Sequence, residues 1–341
     1  MQKVLVGMSG GVDSTAAVML LQKEGYEVSG LTLLLHGDEK SARDAAASAR
    51  TLGISHDILD MRTDFARKVI TPFLESYQNG QTPNPCVLCN AQVKLAAMIA
   101  YADAHGFDRI ATGHYAHVRA HDGRAMLWRG ADAKKDQTYF LSMLPAAWIS
   151  RLLLPLGGLT KDEVRSVAAE ALPAIAEKKD SLEICFIPSD DYGAFLESRL
   201  PSLAREGKII DQNGFTVGFH GGVHRYTIGQ RKGLGAFGKK VFVTDINAAE
   251  NTVTIGENDA LFSDGLYAEN VNFMLENPPE ELYVSAKIRS AGPMSPAICT
   301  RTARGITLRF DTPQRAITPG QTVALYQGDM LIGGATITRR I

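Results

Sequence analysis

The chain has 341 residues, of which 45% are hydrophobic and 21% charged, and a formal net charge of −1. This length predicts two or three domains, and the composition excludes long disordered stretches. The apolar run near the N-terminus is too short and too interrupted for a membrane span or a signal peptide, so we expect a cytoplasmic protein with no membrane contact.

Strand and helix patterns alternate through the first third of the chain. Buried strands over 3–8 and 28–35 flank a helix from about Asp13 to Lys23. The alternation then predicts a helix over 41–52, a strand over 56–61, a helix over 64–77, a loop over 79–90, a helix over 91–105 and a strand over 109–113. Such alternation forms a parallel sheet covered on both faces, whose ligand lies beyond the carboxyl ends of the strands.

The pattern changes after a predicted helix in PLGGLTKDEVRSVAAEALP (155–173). Short alternating segments broken by glycine follow, and indicate β-rich units. We therefore predict an α/β fold with a parallel-sheet domain over 1–200, a small β-rich central domain over 201–265 and a C-terminal β-barrel domain over 266–341. Residues 281–341 carry eight Lys/Arg against three Asp/Glu, which fits a nucleic-acid partner and equally a solvated basic surface.

The segment GMSGGVDS spans Gly7 to Ser14, between the first strand and the first helix. It has neither the GxxxxGK[ST] spacing of a P-loop nor the GxGxxG spacing of a dinucleotide fingerprint, and the lysine that would hold the β- and γ-phosphates is missing from it. The unpaired N–H groups at a helix start favour a phosphate there. The alternative is a tight turn in which Asp13 or Ser14 only caps the helix.

Three of the four cysteines are candidates for chemistry. Cys86 and Cys89 lie in TPNPCVLCN ahead of a helix, so both thiols can face one pocket, and a helix N-terminus is expected to lower a thiol pKa and give a thiolate nucleophile. Cys185 lies about a hundred residues further on, in DSLEICF. The alternatives are half of a zinc site, for which no second pair with this spacing exists, and buried inert cysteines.

Seven motifs occur together in one order: GMSGGVDS, TPNPCVLCN, ATGHYA, KDQTYFL, DSLEICF, TIGQRKGLG and ITPGQTVALY…IGGATI. In this the chain resembles the tRNA-specific 2-thiouridylase family, within the ATP pyrophosphatases whose PP-loop has the sequence SGGxDS. The resemblance implies a Rossmann-like PP-loop domain, a central domain and a C-terminal β-barrel. It also implies ATP and Mg²⁺ as cofactors, the wobble uridine of Lys, Glu and Gln tRNAs as substrate, and a cysteine desulfurase or sulfur-relay protein as partner.

The resemblance also implies roles at matching positions. Cys185 would carry a persulfide and Cys89 would be its partner nucleophile. The residues implied for ATP are Gly7, Met8, Ser9, Gly10, Gly11, Val12, Asp13, Ser14, Leu33 and Gly113. Those implied for tRNA are Asn84, Pro85, Cys86, His114, Lys135, Asp136, Gln137, Arg289, Ser290 and Gln321.

One position departs from the family pattern. Many members have Asp, proposed as an acid/base, where this chain has Cys86, and a thiol shuttles protons less readily at neutral pH. The substitution places three thiols around one pocket, so a [4Fe-4S] cluster held by Cys86, Cys89 and Cys185 is the alternative to a persulfide. The rival functions are a PP-loop synthetase or amidotransferase acting on a small molecule, and a non-catalytic nucleotide- or RNA-binding module.

Overall fold

The computed structural model describes residues 1–37, 39–177, 184–187 and 191–341. It confirms the predicted fold class: a parallel sheet with helices on both faces comes first, a small mixed sheet follows, and an antiparallel barrel comes last. Residues 180–183 of the DSLEICF motif lie outside the described residues. The domain boundaries near residues 200 and 265 stay a prediction.

Five parallel strands form the first sheet: β1 (Lys3–Gly7), β2 (Glu27–Leu34), β3 (Ser55–Asp60), β4 (Arg109–Ala111) and β7 (Leu152–Leu153). Their order across the sheet is β3-β2-β1-β4-β7. The helices are α1 (Val12–Lys23), α2 (Lys40–Thr51), α3 (Arg62–Phe65), α4 (Thr71–Gln78), α5 (Pro85–Cys89), α6 (Leu95–His105), α7 (Thr138–Leu141), α8 (Ala146–Ile149), α9 (Lys161–Ala171), α10 (Pro173–Ala176) and α11 (Tyr192–Arg199). The central strand is buried on both sides, since Val4, Leu5 and Val6 are at most 1% exposed.

The helix predicted over 91–105 begins six residues earlier than expected, so the predicted loop over 79–90 is partly wrong. Asn84 caps the helix by accepting a hydrogen bond from the Cys86 N–H, and Pro85 occupies its first turn, a combination that starts helices. Cys86 and Cys89 therefore lie on α5 rather than in a loop. A π-helical turn, Asn90–Lys94, joins α5 to α6, and another, Ala66–Ile70, joins α3 to α4.

Within the described ranges, Pro85–His105 is the one helical run long and apolar enough to cross a membrane by length and composition. It is packed inside the protein, and 56% of its most apolar window is buried. This run carries Cys86, Cys89 and Lys94, so it is a core helix that supplies polar groups to a site.

The central sheet contains β8 (Gly207–Ile210), β9 (Thr216–His220), β10 (Phe242–Asn247) and β11 (Thr252–Gly256). The barrel contains β12 (Phe262–Phe273), β13 (Glu281–Lys287), β14 (Ser295–Arg301), β15 (Ile306–Arg315), β16 (Thr322–Gln327) and β17 (Met330–Arg340), and β12 pairs with β17 to close it. A hairpin that the sequence patterns did not predict, β5 (Ala116–His121) and β6 (Arg124–Arg129), extends this sheet through β17. The barrel is thereby joined to the chain that follows β4.

Thr82 joins all three parts of the protein. Its N–H donates to the Pro319 carbonyl at 3.0 Å, and its carbonyl accepts from Gln321 Nε2 at 2.7 Å, both on the barrel side. Its hydroxyl lies 3.4 Å from that of Thr227, ahead of the central sheet's β10. This junction fixes the start of the segment that leads into α5.

Candidate active site

The loop from Gly7 to Ser14 presents backbone N–H groups at the start of α1. We name it the nucleotide loop, after the ligand that the sequence predicts for it. Gly10 has φ +69, and a Cβ on it would lie 2.8 Å from the Ala45 N atom, so only glycine fits. Ser14 Oγ accepts from the Ser9 N–H at 3.3 Å and donates to the Gly11 carbonyl at 3.2 Å, which ties the turn together. The side chains of Met8 and Val12 are buried, so these two residues offer a ligand only their backbone.

Asp13 projects from this loop into a fixed polar cluster. Lys161 Nζ donates to both of its carboxylate oxygens, at 2.8 and 3.0 Å, and the Tyr115 hydroxyl donates at 2.8 Å. Gly113 packs so tightly that a Cβ on it would lie 2.8 Å from Asp13 Cβ. Leu33 lies one residue before the carboxyl end of β2 and is half-buried. The carboxyl edge of the sheet thus holds the predicted nucleotide residues.

Lys161 is not among the residues predicted from the sequence, because it lies on another segment and the loop from Gly7 to Ser14 contains no lysine. It is the first residue of α9, whose start is fixed by a capping box between Thr160 and Glu163. Its side chain is only 12% exposed and lies 5.7 Å from the centre of the Tyr115 ring. The signal for it is the T-K-D-E sequence of a capped helix that follows a strand of the parallel sheet.

The structure brings Cys89 and Cys185 together. Cys89 is buried in an aromatic cluster that includes Phe186 and Ile187, the residues directly after Cys185. All of these cysteines are free thiols, and Cys185 is exposed whereas Cys89 is 4% exposed. Negative charge on Cys185 raises the pKa of both Cys86 and Cys89, so the three thiols share one environment. We name it the thiol pocket.

The expected low thiol pKa is wrong for this pocket. Burial raises the pKa of Cys89 to about 11 and also raises the pKa of Cys86. The pKa of Cys185 is raised as well, because neighbouring atoms limit the hydration of its sulfur although the residue as a whole is exposed. Cys89 ends α5 and is followed directly by the π turn, so it lies away from the exposed N–H groups of the first helical turn. Desolvation therefore outweighs the helix terminus.

Lys94 opposes this rise at all three thiols. Its positive charge lowers the pKa of Cys86, Cys89 and Cys185. Five residues apart, Cys89 and Lys94 would lie roughly 140° apart around an ordinary α-helix. The π turn, closed by the Leu95 N–H on the Asn90 carbonyl, brings residues five apart to the same face. The turn thus places the ammonium beside the thiols.

His114 connects the thiol pocket to the nucleotide loop. It directly follows Gly113, which contacts Asp13, and burial together with the Lys94 charge lowers its pKa to about 3. Its Nδ1 lies 2.7 Å from the Thr112 hydroxyl. His114 is therefore a neutral imidazole at physiological pH, suited to hydrogen bonding rather than to binding phosphate by charge.

The raised Cys89 pKa predicts a pH-dependent nucleophile. We expect disulfide formation between Cys89 and Cys185, measured in a single turnover, to accelerate about tenfold per pH unit from about pH 7 to pH 9, because only the thiolate attacks. Lys94→Met should slow this step about tenfold at fixed pH, since it removes the opposing charge. Lys94→Arg is the matched control. A flat pH profile, or equal rates in the two variants, would contradict this assignment.

Apart from His114, the residues expected to contact tRNA fall into two groups. Asn84 precedes α5, Pro85 and Cys86 begin it, and Gln321 holds the same segment through Thr82. Lys135, Asp136 and Gln137 precede α7, and Arg289 with Ser290 follows β13. Burial lowers the pKa of Lys287, at the end of β13, and the Asp136 charge opposes that shift, so these last two sets are neighbours.

Two side chains of this second group are already engaged inside the protein. Asp136 is 2% exposed at its side chain, lies 3.5 Å from Arg129 Nε and accepts from the Thr138 hydroxyl at 2.9 Å. Gln137 Oε1 accepts from the Tyr115 N–H at 2.9 Å, and its own N–H donates to the Tyr115 carbonyl at 2.9 Å. Both side chains therefore hold their loop in place.

Comparison with known proteins gives one consistent result. Residues 2–189 match the "tRNA methyl transferase HUP domain" family, residues 193–257 the "tRNA methyl transferase PRC-barrel domain" and residues 263–337 the "Aminomethyltransferase beta-barrel domain". The tRNA-specific 2-thiouridylase MnmA of Carboxydothermus hydrogenoformans is 44% identical over 100% of this chain and 98% of its own length. MnmA 1 of Clostridium botulinum is 41% identical over 99% of both chains. The chain therefore belongs to the tRNA-specific 2-thiouridylase family.

Proposed function

We propose that this protein is a tRNA-uridine 2-sulfurtransferase, which adenylates O2 of the wobble uridine in Lys, Glu and Gln tRNAs and replaces that oxygen with sulfur. The observation that carries the proposal is the dipeptide Gly113–His114. Gly113 contacts Asp13 of the nucleotide loop, and the Lys94 charge lowers the pKa of His114 as well as that of the thiols. This supports the inference that an activated oxygen and a reactive sulfur meet at this dipeptide.

The burial of the two cysteines supports a division of labour. An exposed Cys185 is accessible to a cysteine desulfurase or relay protein that loads it with sulfur, whereas buried Cys89 is shielded from that partner and from oxidants. Such a partner, and a cytoplasmic location shared with tRNA, are part of the proposal.

The reaction proceeds in three steps. Uridine O2 attacks the α-phosphorus of ATP and pyrophosphate leaves, which makes O2 part of an AMP leaving group. The terminal sulfur of the Cys185 persulfide then attacks C2 and AMP departs, so the base is held by a disulfide to Cys185. Finally the Cys89 thiolate attacks Cys185 Sγ, which releases 2-thiouridine and leaves a Cys89–Cys185 disulfide that a cellular dithiol reduces. The base must first leave its stack to reach the pocket.

Mg²⁺ fits the nucleotide loop. The carboxylate of Asp13 is the oxygen donor that this ion prefers, and it lies beside the loop that would hold the phosphates. When bound, the ion would neutralise charge on the pyrophosphate.

We propose the persulfide route rather than a [4Fe-4S] cluster held by Cys86, Cys89 and Cys185. Within the described residues, no three His, Cys, Asp or Glu side chains are grouped around a single metal-ion position. Burial raises the pKa of Cys89 to about 11, so a cluster would have to displace its proton in order to bind it. No step is therefore routed through a cluster.

Replacing Cys86 tests this conclusion. Because burial keeps Cys86 protonated at neutral pH, Cys86→Ser exchanges one neutral donor for another, and thiolation should stay within about threefold of wild type. Iron measured after anaerobic incubation with iron and sulfide should be equally low in both proteins. Tight iron binding that disappears in Cys86→Ser together with activity would establish the cluster.

The function itself is tested by incubating purified protein with unmodified tRNA-Lys, ATP and a persulfide donor. Thiolated tRNA, seen as retardation in a mercury-containing gel, together with AMP and pyrophosphate, is the expected result. A small-molecule synthetase would release pyrophosphate only with a carboxylate or amide substrate, and a binding module would release none. Either outcome would overturn the proposal.

A further inference from the structure

A glycine-rich segment of the central region is strongly basic. Residues 228–241, IGQRKGLGAFGKKV, contain four Lys/Arg and no Asp/Glu, in a chain of net charge −1. The segment connects the 3-10 helix Val223–Arg225 to β10 and has four glycines with positive φ. We name it the basic loop.

Three of the four cations in the basic loop have no carboxylate partner among the residues that the structure describes. Lys239 Nζ lies 2.5 Å from Glu257 Oε1. Arg231, Lys232 and Lys240 are exposed, and no carboxylate of the described part of the chain lies within ion-pair distance of them. Arg231 and residues 234–241 line an open depression of about 360 Å³. An uncompensated cluster of this kind attracts an anion.

The basic loop is anchored to the segment that leads into α5. The Thr227 hydroxyl, just before the loop, lies 3.4 Å from that of Thr82, which is four residues ahead of Cys86 in the chain. Gln230 Oε1 accepts from the Thr227 N–H at 3.0 Å, and the Gly229 N–H donates to the Val243 carbonyl at 2.8 Å, so this end of the loop is fixed. The loop and the start of α5 therefore extend from one junction.

A fifth cation lies at the base of the loop. A Cβ on Gly229 would lie 3.5 Å from Arg315 Nη1, and the Arg315 guanidinium lies 5.0 Å from the centre of the Phe242 ring. Its Nε donates to the amide oxygen of Asn258 at 3.0 Å rather than to a carboxylate. Positive charge thus extends from the loop onto β15 of the barrel.

We propose that the basic loop, through Arg231 and Lys232, binds the sugar–phosphate backbone of the tRNA on the side of the uridine held in the thiol pocket. This inference rests on the proposed function. A base that enters the pocket brings its own phosphates with it, and the loop presents cations that extend from the junction leading into α5. Such contacts position the RNA without reading its sequence. The phosphates of ATP have their own site at Gly7 to Ser14.

The test compares tRNA-Lys binding by wild type, Arg231→Ala/Lys232→Ala and Lys3→Ala/Lys23→Ala over a series of salt concentrations. Lys3 begins β1 and Lys23 ends α1, both on the side of the sheet opposite the site, so the loss of these two exposed lysines controls for the loss of two positive charges. For Arg231→Ala/Lys232→Ala we expect roughly tenfold weaker binding and a salt slope reduced by about 1.5, because two phosphate contacts are lost. Thiolation at saturating tRNA should stay near the wild-type level.

Binding by Arg231→Ala/Lys232→Ala equal to that of Lys3→Ala/Lys23→Ala would overturn the inference. So would unchanged tRNA binding with slower sulfur delivery from a persulfide-carrying protein, since the loop would then be a protein-docking surface. Thiolation of tRNA by the wild type, measured in the same series, distinguishes these outcomes from a failure of the proposed function, in which wild type gives no thiouridine.

Discussion

Cys185→Ser is expected to abolish sulfur transfer, by at least roughly 1,000-fold, while tRNA-dependent pyrophosphate release from ATP continues. The serine hydroxyl cannot carry a persulfide, whereas the nucleotide loop at Gly7 to Ser14 lies on a different segment and keeps its geometry. The measurement is thiouridine per tRNA beside pyrophosphate per tRNA. Cys299→Ala is the control, because Cys299 is buried in barrel strand β14 and takes no part in the proposed chemistry.

Cys89→Ser should fail at a later step. The persulfide still attacks the base, but nothing then cleaves the disulfide between the tRNA and Cys185, so a covalent protein–tRNA adduct should accumulate. A small thiol added afterwards should release 2-thiouridine from that adduct. If the serine variant instead turns over normally, or no adduct forms, Cys89 is not the resolving nucleophile.

Lys161→Met is expected to slow adenylation by about 100- to 1,000-fold, because a pre-positioned cation that stabilises charge developing on the pyrophosphate is lost. The Lys161 ammonium lies 2.8 Å from the Asp13 carboxylate. We expect it to transfer to the phosphates when ATP binds. The rate of pyrophosphate release at saturating ATP measures the effect.

Lys23→Met is a matched control for that variant. Lys23 also joins α1 to α9, through Glu170 at 2.8 Å, but both side chains are more than half exposed, so the pair contributes little. It should adenylate at the wild-type rate. If both variants lose activity equally, the Lys161 effect is a loss of helix packing and not of phosphate binding.

The sequence predicted the elements whose signals are local. The glycine loop, the alternation of β1 to β4 with helices and the β-rich C-terminal half all leave short-range patterns, and each is present in the structure. No short-range pattern predicts that the hairpin β5–β6 joins the barrel sheet, because its pairing partner β17 lies about two hundred residues away in the chain.

The electrostatics of the site needed coordinates. Lys161 is 148 residues from Asp13 in the chain, so no spacing within the loop could reveal it. The sequence predicts the wrong thiol pKa because TPNPCVLCN has the pattern of a loop before a helix, whereas Asn84 caps a helix that already contains both cysteines. Burial by Phe186 and its neighbours, which dominates there, depends on a segment about a hundred residues away.

In the proposed reaction, an activated uridine and a sulfur held by Cys185 meet at one site, and Cys89 completes the transfer. The decisive experiment is a single turnover of persulfide-loaded protein with tRNA and ATP, followed by mass-spectrometric mapping of cysteine pairs. We expect one Cys89–Cys185 disulfide for each 2-thiouridine formed. Thiouridine formed while both cysteines remain thiols would rule this mechanism out.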